Sequence, residues 1–144
     1  MSDFVIETKK LTKIYGEQTA VTQRRLASFF RTCAELGLQI PDLYIRPCIY
    51  HDAKSSALAT QELLALRVPP TCIMYPDDYS YLGGATVIEK AGLSIPKDIS
   101  VTGYDGIALS QMLRPRLTTM RQNTEALGRE AAALLADAIE HPKT

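Results

Sequence analysis

The chain has 144 residues, of which 46% are hydrophobic and 22% charged, as is ordinary for one modest globular domain with its own core. Sixteen basic residues balance sixteen acidic ones. A chain without net positive charge is a poor electrostatic match to nucleic acid, so any DNA binding needs a module that is absent from this sequence.

The three cysteines stand far apart among apolar residues, which favours buried reduced thiols over disulfides or a metal site. The N-terminus does not show the basic start and apolar run of a signal peptide. No stretch approaches the length of a membrane span. We therefore expect a cytoplasmic protein with no membrane partner, no cofactor and no metal.

Short apolar runs alternate with helical patterns, which predicts an α/β fold with a mainly parallel sheet flanked by helices. The pattern predicts helices over residues 22–36, 55–66, 78–91 and from 124 onward. Strands are predicted at residues 43–45 and 48–50, interrupted at Pro47, and at 71–75, 99–102 and 117–120. Residues 103–116 are predicted to form a loop. Asp77 or Asp78 can cap the third helix, and capping is the favoured role for Asp78.

The first twenty residues are harder to interpret. Val5–Thr8 and Lys13–Gly16 are short apolar runs, and either segment could be a strand. The last helix begins after the capping candidates Asn123 and Thr124.

Four strings occur in the order and with the spacing of one known family: Arg24–Phe29, Pro69–Ile73 followed by a pair of aspartates, Gly92–Gly106 (GLSIPKDISVTGYDG) and Pro115–Gln122 (PRLTTMRQ). Together they resemble the LacI/GalR (lactose/galactose repressor) family of transcriptional regulators. The resemblance implies one lobe of a periplasmic-binding-protein-like effector domain, in which a ligand lies in the cleft between two lobes.

By this resemblance, residues 21–122 form the C-terminal lobe, and residues 123–144 form a helix that in the family packs on the N-terminal lobe. The helix-turn-helix and most of the N-terminal lobe have no counterpart here. Residues 1–20 could be the first strand or an unrelated fusion, because Glu7–Gly16 also resembles the start of an ABC-transporter ATPase. No phosphate-binding GxxxxGK[ST] loop follows that segment.

Candidate ligand-binding residues follow the predicted strands, where open α/β folds bind their ligands. The resemblance implies that Arg25 and Asp105 grip the ligand, that Gln122 lies at the cleft edge, and that His51 or Tyr50 contributes an aromatic wall. Asp77 falls where many members have asparagine. Each candidate also has a structural alternative, since Asp77 could be a helix cap, Asp105 a turn residue, and His51 a surface or core histidine.

The resemblance also implies a homodimer that pairs through the helix after Asp78 and the loop 109–113. The interface residues expected are Leu82, Gln111, Met112 and Leu113. The last helix would expose apolar side chains, among them Leu127, Leu134 and Leu135, if no second lobe covers it. We therefore expect that helix to dock elsewhere, to exchange with a partner, or to be loosely ordered.

The function that these observations favour is sensing of a sugar or polyol effector by a LacI-type transcriptional regulator, with no catalytic residues. One alternative is the solute-binding protein of a sugar transporter, which shares the architecture. A less favoured alternative is a Mg²⁺-dependent enzyme in which Asp77, Asp78 and Asp105 form a carboxylate cluster.

Overall fold

The structure is a computed structural model that describes residues 11–15 and 20–141. The described elements alternate between strand and helix, as the sequence predicts. In chain order they are β1 (Leu11–Tyr15), α1 (Ala20–Glu35), a 3-10 turn (Asp42–Tyr44), β2 (Ile45–Pro47), α2 (Ala53–Leu64), β3 (Cys72–Met74), α3 (Asp78–Lys90), β4 (Ser100–Asp105), α4 (Ala108–Met112), β5 (Thr118–Arg121) and α5 (Thr124–Glu140).

The five strands form one parallel sheet in the order β2-β1-β3-β4-β5. The chain leaves β1 in one direction to reach β2 and then returns past β1 to β3. Right-handed crossovers therefore place α1 on one face of the sheet and both α2 and α3 on the other. The expected parallel α/β fold is confirmed. The segment 13–15 of the predicted Lys13–Gly16 strand lies in β1, whereas Val5–Thr8 lies outside the described residues.

The core lies between the sheet and the α2–α3 layer. Its most completely buried side chains are Leu63 of α2, Ile73 of β3 and Ile88 of α3. A Cβ atom on Gly83 would lie 1.8 Å from the carbonyl oxygen of Ala53, so α3 approaches α2 closely only because this residue is glycine. This tight layer holds the strands that carry the candidate site.

Two predicted boundaries are wrong around Pro47. Proline is compatible with β2 because β2 is the edge strand of the sheet, so the residue ends the strand and does not interrupt it. Residues 48–50 are not a strand, because the chain turns away from the sheet at His51, whose φ is +58°, and Asp52 caps α2.

The predicted loop 103–116 is also wrong in part. β4 continues to Asp105, and α4 follows. Ser110 is buried in α4. Leu113, one of the expected interface residues, packs against the core and is only partly available to a partner. Gln111 and Met112 are exposed and Leu82 is half-buried, so these three of the expected interface residues keep accessible surface.

The last helix, α5, has no buried residue, and its four large apolar side chains are 59–71% exposed. It begins at the predicted cap, where the Asn123 side chain accepts a hydrogen bond from the Ala126 amide. Within residues 11–15 and 20–141, no helix has the length and apolarity to cross a membrane.

Candidate functional site

The candidate site lies at the carboxyl edge of the sheet, beside the point where the chain reverses direction between β1 and β3. Ligands of open α/β folds bind at such switch points. Arg25 comes from the first part of α1, which follows β1, and His51 follows β2. Asp105 ends β4, and Gln122 comes directly after β5. The sequence places these residues far apart, and the parallel strands bring them to one edge.

Arg25 is fixed by two contacts at this edge. Its Nη1 donates a hydrogen bond to the carbonyl of Pro76, just beyond β3, at 3.3 Å. Its guanidinium carbon lies 3.7 Å from the centre of the Tyr104 ring. Stacking of a guanidinium on an aromatic face leaves the donors at the rim of the plane free to bind a further group. Tyr104 and Asp105 are the last two residues of β4, and the charges of both Arg25 and Asp105 act on the Tyr50 hydroxyl, so both groups lie near this edge of the sheet.

Through its carboxylate and its carbonyl, Asp105 connects the end of β4 to the segments that follow β2 and β5. The Tyr50 hydroxyl donates to Oδ2 at 3.2 Å, and the Gln122 side-chain amide donates to Oδ1 at 2.5 Å. The backbone amide of Gln122 also donates to the Asp105 carbonyl at 3.2 Å. Asp105 has a φ of +110°, which is unfavourable for a residue with a side chain. Strained backbone of this kind is common where a side chain is held for ligand binding.

Burial, together with the charge and hydrogen bond of Asp105, raises the pKa of the Tyr50 hydroxyl. The nearby charge of Asp77 acts in the same direction, and that of Arg25 opposes it. Tyr50 therefore keeps its proton at neutral pH and acts as a donor to the carboxylate. These couplings also indicate that Tyr50, Asp105 and Arg25 belong to one electrostatic cluster.

Asp77 is fully buried and is the cap of α3. Its carboxylate accepts hydrogen bonds from the Ser80 amide at 2.8 Å, the Ser80 hydroxyl at 2.7 Å and the His51 amide at 3.3 Å. His51 Nδ1 lies 3.1 Å from the Asp77 Oδ1. In this structure Asp77 thus lies beneath His51 and does not face the cleft.

The proton on His51 is assigned by this pairing. A carboxylate can only accept, so Nδ1 carries a proton and Nε2 is left for another partner. The His51 ring stacks on Tyr50, with centroids 4.1 Å apart and planes at 16°, and its centroid lies 6.0 Å from that of Tyr79. The three rings form a partly exposed group that we call the aromatic wall.

The role favoured for Asp78 in the sequence is wrong, because Asp77 is the cap and Asp78 is the first residue of the helix. Asp78 is buried, and its carboxylate accepts from the Ile107 amide at 2.9 Å and from the Thr119 hydroxyl at 2.5 Å. It therefore holds the turn after β4 against β5, which in turn positions Asp105.

Two aromatic residues of the site were not predicted from the sequence. Tyr104 adjoins the expected binding residue Asp105, and Tyr79 is an exposed aromatic residue in the first turn of α3. Their positions next to polar strand-end residues were the only available signal.

The three carboxylates of the enzyme alternative do not converge. Asp77 binds Ser80 and His51, Asp78 binds the β4–α4 turn, and Asp105 binds Tyr50 and Gln122. In the part of the chain that the structure describes, no group of three or more histidine, cysteine, aspartate or glutamate side chains is placed to hold a metal ion. The three cysteines are buried and form no disulfide, as predicted.

Residues 10–144 match the family of periplasmic binding protein-like domains. The chain is 34% identical over 134 residues to the HTH-type transcriptional repressor CytR of Escherichia coli (strain K12). The aligned region covers 92% of this chain and 39% of the repressor. A LacI transcriptional regulator from Bacillus cereus subsp. cytotoxis NVH 391-98 superposes with a TM-score of 0.88 at 33% identity, covering 95% of this chain and 49% of that one.

A complex of the transcriptional regulator CelR with cellobiose superposes with a TM-score of 0.87 at 25% identity, covering 95% of this chain and 42% of that one. The chain thus spans no more than half the length of these relatives. Because a family match extends over residues 10–144 and a repressor is 34% identical across 92% of the chain, the chain belongs to the periplasmic binding protein-like domain family and represents part of a LacI/GalR-type effector domain.

Proposed function

We propose that this chain forms one wall of the effector site of a LacI-type transcriptional regulator and that the effector is a sugar or a related polyol. The observation that carries the proposal is the convergence of the Arg25 guanidinium and the Asp105 carboxylate at one sheet edge. Planar charged groups bind pairs of hydroxyls through short, strong hydrogen bonds.

The remaining residues complete such a site. The Gln122 amide lies against Asp105 and could bind a further hydroxyl, and the aromatic wall offers an apolar surface for the carbon face of a sugar ring. His51 would contribute Nε2, while Asp77 would act indirectly by holding His51. The cellobiose in the CelR complex is consistent with this ligand class.

In the intact regulator, effector binding would change the balance between conformations of the effector domain and so alter DNA affinity. DNA would be bound only by a separate module, in keeping with the HTH-type name of the CytR repressor. Such a regulator acts in the cytoplasm, where reduced thiols such as those of the buried Cys48 and Cys72 are stable. We assign the chain no catalytic activity.

We further propose that copies of the chain pair through the surface formed by α3 and α4. Met112 is largely exposed at the end of α4, Gln111 is exposed next to it in the chain, and Leu82 of α3 is half-buried. Leu113, which packs on the core, would support this surface from beneath. The substitution Met112→Asp is expected to weaken this pairing and leave the fold unchanged, which sedimentation velocity would measure.

A solute-binding protein of a sugar transporter is the second candidate, because the same site would serve it. The relatives described above are transcriptional regulators, which favours the first candidate. A Mg²⁺-dependent enzyme is disfavoured by the separation of Asp77, Asp78 and Asp105 into three hydrogen-bonding groups.

The test is a titration of the ¹⁵N-labelled chain with cellobiose, glucose, ribose and glycerol, followed by NMR. Because the chain supplies one wall of the cleft, we expect weak binding, with millimolar Kd. Amide shifts should map to Asp105, Gln122 and the start of α1, and Asp105→Asn or Arg25→Lys should reduce them. Asp98→Asn, in an exposed turn, is the matched control. Ligand-induced amide shifts that neither Asp105→Asn nor Arg25→Lys reduces would refute the proposed site.

A further inference from the structure

The buried carboxylate of Asp77 has its hydrogen-bonding capacity fully occupied. Its Oδ1 accepts from the Ser80 amide at 2.8 Å and lies 3.1 Å from His51 Nδ1. Its Oδ2 accepts from the Ser80 hydroxyl at 2.7 Å and from the His51 amide at 3.3 Å. A carboxylate offers about four lone-pair sites, so these four donors leave no site for a proton on Asp77 or for a hydroxyl of an effector.

The saturation of Asp77 determines how His51 presents its imidazole. Because Asp77 has no proton to donate, the proton between the two residues belongs to His51 Nδ1. A neutral imidazole carries one N–H proton, so Nε2 then has a free lone pair and acts as an acceptor. The His51 side chain is 54% exposed, and no residue that the structure describes bonds to Nε2. This acceptor is therefore left for a ligand.

Asp77 also holds the backbone of His51. His51 has a φ of +58°, a left-handed conformation that is unfavourable for a residue with a side chain. The hydrogen bond from its amide to Asp77 Oδ2 supports this conformation. The imidazole stacks on Tyr50, whose hydroxyl donates to Asp105. One buried carboxylate thus orients His51, through its backbone and its ring, within the aromatic wall that adjoins Asp105.

We propose that Asp77 is a positioning residue that makes His51 the hydrogen-bond acceptor of the effector site, so that the effector group bound at Nε2 must be a donor. This inference rests on the proposed function and names the group: a free hydroxyl. A carboxylate, phosphate or ether oxygen would place a second acceptor against the Nε2 lone pair. An anion would also meet the negative charge of Asp77 behind the ring. His51 therefore selects a free hydroxyl over an acid, a phosphate ester or an ether at that position of the effector.

The first test needs no ligand. It records the imidazole ¹⁵N resonances of the full chain by NMR near pH 8, where imidazoles are ordinarily neutral. His51 should show a protonated Nδ1 and an unprotonated Nε2. His141 is the internal reference, because its Nδ1 lies 3.2 Å from Asp137 but these two side chains are 74% and 76% exposed. It should show the mixed tautomers of a solvated imidazole. A protonated Nε2 in His51 would overturn the proposal.

Two substitutions separate the orientation of His51 from the capping of α3. Asp77→Ser keeps an oxygen that can cap the helix but is too short to reach the imidazole, so His51 should become a mixture of tautomers. Ser80→Ala is the matched control, because it removes the donor to Oδ2 and leaves the pair between Oδ1 and Nδ1. It should leave the tautomer unchanged. A His51 tautomer that survives Asp77→Ser would contradict the proposal, and the spectrum of the unsubstituted chain tests it even if that variant does not fold.

The second test asks which group Nε2 binds. NMR titration compares glucose with its monodeoxyfluoro analogues, in which fluorine replaces one hydroxyl and cannot donate. One analogue should bind about 2- to 10-fold more weakly than glucose because it loses the hydrogen bond to Nε2, and this loss should disappear in His51→Phe and shrink in Asp77→Ser. Losses that arise at Asp105 should persist in both variants.

The outcomes distinguish this inference from the proposed function. If glucose binds but no analogue shows a loss that depends on His51, the specificity assigned to His51 is wrong and the proposed effector site stands. If glucose, cellobiose, ribose and glycerol all fail to bind, the proposed function is refuted together with that specificity. The tautomer, measured without ligand, then still shows whether Asp77 controls His51.

Discussion

Removal of the Asp77 carboxylate tests whether this buried aspartate holds both α3 and His51. Its oxygens accept from the Ser80 amide and hydroxyl and from the His51 amide, and they pair with His51 Nδ1. Asp77→Ala would leave the Ser80 amide and hydroxyl without an acceptor, and Ser80 is fully buried. The exposed His51 can instead bind water. Each buried donor left without an acceptor lowers the free energy of unfolding by about 1–3 kcal/mol.

We therefore expect Asp77→Ala to lower the free energy of unfolding by about 3–4 kcal/mol, a large part of the 5–15 kcal/mol typical of a domain. Asp77→Asn should cost about 1 kcal/mol, because an amide oxygen can still accept from Ser80. Urea unfolding followed by circular dichroism measures both. Asn123→Ala is the matched control, since it removes the exposed cap of α5 and should cost about 0.5–1 kcal/mol. An Asp77→Ala effect no larger than the control would refute the reasoning.

Three further outcomes are expected. Gly83→Ala should destabilise the chain by more than about 2 kcal/mol in urea unfolding, because its Cβ would overlap the backbone of α2, whereas Gly128→Ala, which meets open space in α5, should be neutral or stabilising. Tyr50→Phe removes the donor to Asp105 and should weaken binding of a responsive sugar severalfold in NMR titration with a stability change below about 1 kcal/mol. Burial raises the pKa of the Cys72 thiol from 9.0 to about 11. The contribution of this thiol to the free energy of unfolding is therefore complete below pH 9 and is lost as the pH rises through 11. The free energy of unfolding should fall over that interval, and Cys72→Ala should lessen the fall.

The sequence was sufficient to predict the main strands of the sheet and the edge of the sheet that carries the candidate residues. Continuous apolar runs marked β3 and β4, and capping residues marked the starts of α3 and α5. Parallel strands bring their carboxyl ends to one edge, so polar residues after those strands could be grouped without coordinates. That rule predicts Arg25, Asp105 and Gln122 at one edge; in the structure Gln122 donates to Asp105, and Arg25 contacts Tyr104, the residue before Asp105.

The supporting contacts could not be predicted in the same way. Asp78 binds Ile107 and Thr119, which are 29 and 41 residues away, and nothing in a local pattern specifies such partners. Helix α4 has five residues, too few for a reliable helical period. The contact of Arg25 with Tyr104 depends on side-chain rotamers, which are decided by packing.

The position of α5 bears on how the candidate site is completed. In a sheet of order β2-β1-β3-β4-β5, the crossovers between the described strands place α2 and α3 on one face and α1 on the other. Helix α5 begins after the two residues that follow β5, at the carboxyl edge of the sheet, and none of its residues is buried. Whatever covers α5 must therefore approach from the side of the Arg25–Asp105 site, which ties assembly of the cleft to burial of that helix.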